Sequence, residues 1–169
     1  MAYSVFVSHC MVEEDMPIVG ALLDRLRSRG IEPYLAERDP QPGRSLSSKV
    51  LERIRHSDLV TVFWTRRGSS SEWVNQEIGA AKAEGKVVVP LVEKGVRVKG
   101  LLEGIERVEF DRSDPDSALE SLEEFLAQKR EAKEEAEREA QFWRDVETVA
   151  MVTIVVVALV LVLLLAAKK

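Results

Sequence analysis

Cysteine and histidine are scarce. Cys10 is the sole cysteine, and His9 and His56 are the only histidines. That excludes an intramolecular disulfide and leaves no set of side chains with metal-ligand spacing, so no metal is expected. Cys10, just past an apolar strand, reads as a reduced thiol in a cytosolic domain. Excess positive charge is missing too. The formal net charge is −5, and −7 once Lys168 and Lys169 are set aside, so the electrostatic footprint of a nucleic-acid binder is absent. No internal repeat is visible. No apolar run or signal peptide opens the chain, because Tyr3 to Ser8 reads as a strand.

What the sequence does hold is one long uncharged run. Val149 to Ala167 contains no charge, and Thr153 is its polar interruption. At about 1.5 Å per residue it would span roughly 28 Å, enough for a tilted helix or a slightly thinned bilayer. Lys129, Arg130, Lys133, Arg138 and Arg144 precede the run and two lysines follow it, which places the preceding residues on the cytoplasmic side. The expectation is a single-pass, tail-anchored protein. Residues 1–126 would form one globular domain, 127–148 a charged helical linker and 149–167 a transmembrane helix. The linker is rich in Ala, Glu, Lys and Arg with helical pairs such as Lys133–Glu137 and Glu134–Arg138. Ala132, Ala136, Ala140 and Trp143 could pair helices, or simply belong to a solvated spacer with Phe142 and Trp143 near the interface.

Within the domain, apolar strands and amphipathic helices alternate. Strands are expected at Tyr3–Ser8, Ile31–Ala36, Leu59–Trp64, Val87–Val92 and Ile105–Phe110. Pro90 should push the fourth toward a sheet edge or a strand end. Helices are expected after Pro17, where Ile18, Val19, Leu22, Leu23 and Leu26 form a stripe, from Leu46, from the serines at Ser69 to Ser71, and after Pro115. The loop Glu37–Ser45 holds two prolines and a glycine. Such alternation with short connections gives an α/β fold. A flavodoxin-like five-stranded parallel sheet in the order 2-1-3-4-5, with helices on both faces, is the economical arrangement. Its ligand crevice lies at the carboxyl ends of strands 1 and 3. That points to Ser8, His9 and Cys10 and to Trp64–Ser71.

The same place carries the most suggestive short stretch, Ser69-Ser70-Ser71-Glu72-Trp73-Val74-Asn75-Gln76-Glu77. Ser69 and Glu72 fit a capping box, with two further serines available as the cap. Trp73 and Glu77 are four residues apart and share a helix face. A carboxylate beside a tryptophan near a helix N-terminus can be a working group. It can equally be a core tryptophan with a solvated acid on the helix edge.

Three stretches together resemble the Toll/interleukin receptor (TIR) domain family. They are Tyr-Ser-Val-Phe-Val-Ser-His from Tyr3, Arg38-Asp39-Pro40-Gln41-Pro42-Gly43, and Ser71-x-Trp73-x-x-x-Glu77. The resemblance covers Tyr3 to about Leu126. It implies the TIR fold and, for TIR domains of the enzymatic kind, cleavage of NAD+ as substrate at the nicotinamide–ribose bond, with Glu77 as the catalytic residue. Loss of neutral nicotinamide leaves an oxocarbenium-like ribosyl centre that one fixed carboxylate can stabilise. Ser8, His9, Cys10, Arg38 and Trp73 are then the substrate-binding candidates. Basic residues common after the first strand in the family are lacking here. Trp64 could stack on a ring or pack in the core. Arg44, Arg66 and Arg67 could neutralise the pyrophosphate or stand solvated. Arg38, Asp39, Pro42 and Gly43 would belong to a loop that gates the site and meets other TIR domains. The partners implied are NAD+, a lipid bilayer and further TIR domains. Two functions fit: a membrane-anchored NAD+ glycohydrolase, hydrolysing or cyclising, or a non-enzymatic adaptor that acts by homotypic assembly. A nucleoside deoxyribosyltransferase of similar fold is disfavoured by the Arg38–Gly43 loop.

Overall fold

The computed structural model describes residues 3–35 and 46–166, except for the side chains at 46, 161, 162, 164 and 165. Five strands, β1 (Tyr3–Ser8), β2 (Ile31–Tyr34), β3 (Leu59–Trp64), β4 (Val87–Glu93) and β5 (Val108–Phe110), form one sheet in the order β2-β1-β3-β4-β5. Every neighbouring pair is parallel. The helices are α1 (Met16–Ser28), α2 (Leu46–His56), α3 (Glu72–Ala83) and α4 (Asp116–Ala166). The expected sheet order holds.

Strand parity decides which helix covers which side chain. Along β1, Val5 and Val7 join a cluster with Leu22 and Leu23 of α1 and with Leu119 and Leu122 of α4. Phe6 points the other way and packs with Val50 and Ile54 of α2 and Val74 and Ile78 of α3. Successive strand residues face opposite sides, so Ser8 shares the Phe6 face and looks toward α2 and α3. The same rule splits β3, with Leu59 and Phe63 on one side and Val60, Val62 and Trp64 on the other. All six β3 residues are buried, as a central parallel strand covered on both faces requires.

Three expectations about strands need correction. Pro90 lies in an inner strand, paired with Val62 of β3. It is tolerated because the β4–β5 ladder begins one residue later, at Leu91↔Val108, so no bond to β5 needs a Pro90 N–H. The fifth strand is three residues long, beginning at Val108 rather than Ile105. The second ends at Tyr34, and its Pro33 sits in an edge strand, where a missing donor costs no ladder bond.

The chain divides into two compact units, 1–128 and 129–169. The described residues of the second, 129–166, belong to α4, where Lys133 pairs with Glu137 at 3.7 Å and Glu134 with Arg130 at 3.5 Å. From Val149 to Val160 its apolar side chains stand exposed, Val149 at 66% and Ile154 at 64%. Among the described residues no helix is long and apolar enough to cross a membrane. The span expected over 149–167 is therefore not borne out by the structure. Positions 161, 162, 164, 165 and 167 of that expected span lie wholly or by their side chains outside the described residues.

Candidate functional site

Helix α3 starts where a serine can close its first turn. Ser71 is the cap, with its Oγ accepting from the Val74 N–H at 3.3 Å. Ser69 and Ser70, the other candidates, lie in a short 3-10 turn, Gly68–Ser70. Ser71→Ala should cost about 1 kcal/mol, read as a lower urea midpoint with an unchanged slope.

One turn into α3, Trp73 is half-buried and Glu77 is 4% exposed. The reading of Glu77 as a solvated edge acid is therefore incorrect. Its carboxylate accepts a 2.5 Å hydrogen bond from the Ser8 hydroxyl, and Ser8 is itself fully buried at the end of β1. This contact joins residues 69 positions apart, and strand parity produces it. A pocket of about 190 Å³ opens beside the pair, walled by Trp73, Gln76 and Glu77 of α3 and by Ser47, Val50 and Leu51 of α2. The lining is mostly apolar with a carboxylate at one side, the ordinary character of a small-molecule site.

The other expected site residues divide. His9 is buried and its Nδ1 lies 2.9 Å from the Cys10 carbonyl oxygen. Cys10 is partly exposed and packs on the cluster that contains Phe6 and Trp64. Both follow β1, but neither lines the pocket. Trp64 is 1% exposed, with its indole N–H donating to the Arg97 carbonyl at 3.3 Å, so it packs in the core. Arg67 pairs with Glu14 at 3.7 Å. Arg38, Asp39, Pro42, Gly43 and Arg44 lie outside the described residues. Among the described residues no cluster of His, Cys, Asp and Glu could hold a metal ion.

A polar network that the sequence reading missed braces the connection between β3 and α3. Arg112, just past β5, donates to Asp15 Oδ1 at 2.7 Å and to both oxygens of Glu93 at 3.1 Å. The Thr65 hydroxyl donates to Asp15 Oδ2 at 2.9 Å and accepts from the Gly68 N–H at 3.1 Å. The Arg66 N–H donates to Glu93 Oε2 at 3.0 Å. Two carboxylates thus hold the first residues of the connection, and one guanidinium bridges them. Hydrogen bonding to Arg112 holds the Glu93 carboxyl below the usual glutamate range, against the opposing effect of burial. A Cβ at Gly68 would stand 3.0 Å from the Phe63 carbonyl oxygen and 3.2 Å from the Thr65 hydroxyl, a tight fit that favours glycine beneath the strand end. The sequence signal was faint: Asp15 stands at the start of α1 but makes no side-chain capping bond there.

Comparison with known proteins bears on this geometry. A family model described as "TIR domain" matches residues 5–126. The stimulator of interferon genes protein of Magallana gigas is 31% identical over 104 residues, covering 59% of this chain and 25% of that protein. A probable 2' cyclic ADP-D-ribose synthase of Brachypodium distachyon is 24% identical over 89 residues, covering 53% of this chain and 40% of that one. The chain thus spans well under half the length of either relative. The crystal structure of the TIR domain of Toll-related receptor TRR-2 from Hydra magnipapillata superposes with a TM-score of 0.60 at 15% identity, covering 75% of this chain and 98% of that one. That likeness concerns the fold.

Proposed function

The chain belongs to the TIR domain family, and from that premise we propose that it cleaves NAD+ at the nicotinamide–ribose bond, with Glu77 as the catalytic carboxylate. The observation that carries the reading is a buried carboxylate, held by a buried hydroxyl, at the wall of an apolar pocket beside a tryptophan. A carboxylate with little water around it is poised to stabilise cationic charge that develops in the transition state. As the C–N bond lengthens, the bonding pair leaves with nicotinamide and positive charge grows on the ribosyl carbon. Glu77 faces that charge, or holds the ribose hydroxyls that orient it. The leaving group departs neutral, so no second acid has to protonate it. Ser8 fixes the rotamer of Glu77 and acts as a positioning residue. Trp73 offers a flat apolar wall for a ring.

A cavity of about 190 Å³ takes the nicotinamide end of the substrate and little more. The remainder of the dinucleotide needs further surface, which a second copy of the domain can supply. Self-association is accordingly part of the proposal. Lipid attachment through the uncharged run from Val149, with the domain on the cytoplasmic side, raises the effective concentration that weak contacts need. The Brachypodium relative is a probable 2' cyclic ADP-D-ribose synthase, which supports a cyclic product as well as linear ADP-ribose from this chain.

The test is incubation of the chain with NAD+ on liposomes, with products resolved by chromatography. Equimolar nicotinamide and ADP-ribose, linear or cyclic, is the expected result. Full turnover by a dilute monomer lacking residues 149–169 would remove assembly from the account, and NAD+ left intact by the clustered chain would remove the enzyme.

A further inference from the structure

A second opening lies at the carboxyl edge of the sheet, between the connection that follows β3 and the one that follows β4. It measures about 560 Å³ and is lined by Arg66, Ser69, Gly95, Val96, Arg97 and Lys99. None of these residues lines the Trp73–Glu77 pocket. Three cations and no carboxylate surround it, in a chain whose net charge is −5. Other arginines of the domain are committed to acids, as Arg25 is to Asp116 at 2.7 Å, Arg55 to Glu84 at 2.8 Å and Arg112 to Asp15 at 2.7 Å. The side chains of Arg66, Arg97 and Lys99 make no hydrogen bond or ion pair with any described residue. Glu93, whose carboxyl feels the Arg66 charge, is occupied by Arg112 and by the Arg66 N–H.

The backbone that carries these cations is pinned. The Trp64 indole holds the Arg97 carbonyl, Glu93 holds the Arg66 N–H, and the Val96 N–H donates to the Glu93 carbonyl at 3.0 Å. Gly95, at φ +83°, turns the chain between them. Cationic forks on fixed backbone at the carboxyl edge of a parallel sheet suit a bidentate oxyanion.

We propose that this cleft binds the phosphate groups of a small molecule, either the free inorganic ion or a nucleotide carrying a diphosphate. It does so independently of whether Glu77 cleaves NAD+. Isothermal titration of the whole chain in detergent, at fixed ionic strength, tests this with inorganic pyrophosphate and with ADP. Both ligands should bind the wild type and Glu77→Ala alike. Binding should weaken at least tenfold in Arg97→Ala/Lys99→Ala, whose melting temperature should stay at the wild-type value because both side chains are exposed. Tighter binding of ADP assigns the site to a nucleotide, and equal binding assigns it to the inorganic ion. Absence of binding to the wild type, or affinity unchanged in the double variant, overturns the proposal. So does a double variant that changes only the sedimentation of the chain, which would make the cleft a contact between copies.

Discussion

Glu77→Gln should lower nicotinamide release from NAD+ by about 10²–10³-fold while leaving the melting temperature unchanged or higher. The two expectations come from one fact. A carboxylate that is 4% exposed is costly to keep charged, and an amide of the same shape lifts that cost. The amide oxygen still accepts from Ser8, so that hydroxyl keeps its partner. What disappears is the negative charge facing the ribosyl centre. Loss of activity without loss of stability separates a functional acid from a structural one, because functional sites commonly sit below their stability optimum. A variant that melts much lower and loses activity in proportion would make Glu77 a packing residue. Nicotinamide release is the readout for the first half, and thermal unfolding followed by circular dichroism for the second.

Arg112→Met should be the most damaging single change outside the apolar core. It strips the counter-charge from Asp15, which is 2% exposed, and from Glu93, whose side chain is 14% exposed. Breaking a buried pair from one side costs about 3–5 kcal/mol. With the Arg112 side chain 35% exposed, solvent screening lowers the expectation to about 2–3 kcal/mol, or a fall of roughly 10 °C in melting temperature. The pH dependence has a definite sign. The Glu93 carboxyl is depressed in the fold, so its contribution is complete above the ordinary glutamate range and is lost as the pH falls through the folded value. The gap between wild type and Arg112→Met should therefore narrow on acidification. Glu93→Gln placed in the Arg112→Met background should recover part of the loss, since it removes one orphaned charge. A double-mutant cycle by urea unfolding measures that coupling. Additive effects would mean that the two groups act independently.

The features that the sequence made legible are those whose cause is local. Apolar runs placed all five strands, with the ends of the second and fifth set too wide, and the serines before Glu72 placed the start of α3. The four-residue spacing put Glu77 on the Trp73 face. What stayed hidden depends on partners far along the chain. The Ser8–Glu77 bond follows from the parity of β1 once α3 is known to cover the Phe6 face, and nothing within either segment announces it. Asp15, Thr65, Glu93 and Arg112 are unremarkable polar residues until the sheet brings the ends of β3, β4 and β5 up to the start of α1. Pro90 misled because a lone proline signals an edge, whereas here the short β5 leaves its position unpaired on that side. The run from Val149 was read for length and apolarity alone, and no helix among the described residues combines the two to the extent that a membrane span needs.

The chemistry at Glu77 separates an enzyme from a scaffold. The most direct measurement is a time course of NAD+ by proton NMR, with the chain on liposomes beside Glu77→Gln under the same conditions. Free nicotinamide should appear with the wild type and none above background with the variant. Equal inertness of both proteins, with both still clustering on the vesicles, would contradict it and leave a scaffold whose buried acid does no chemistry.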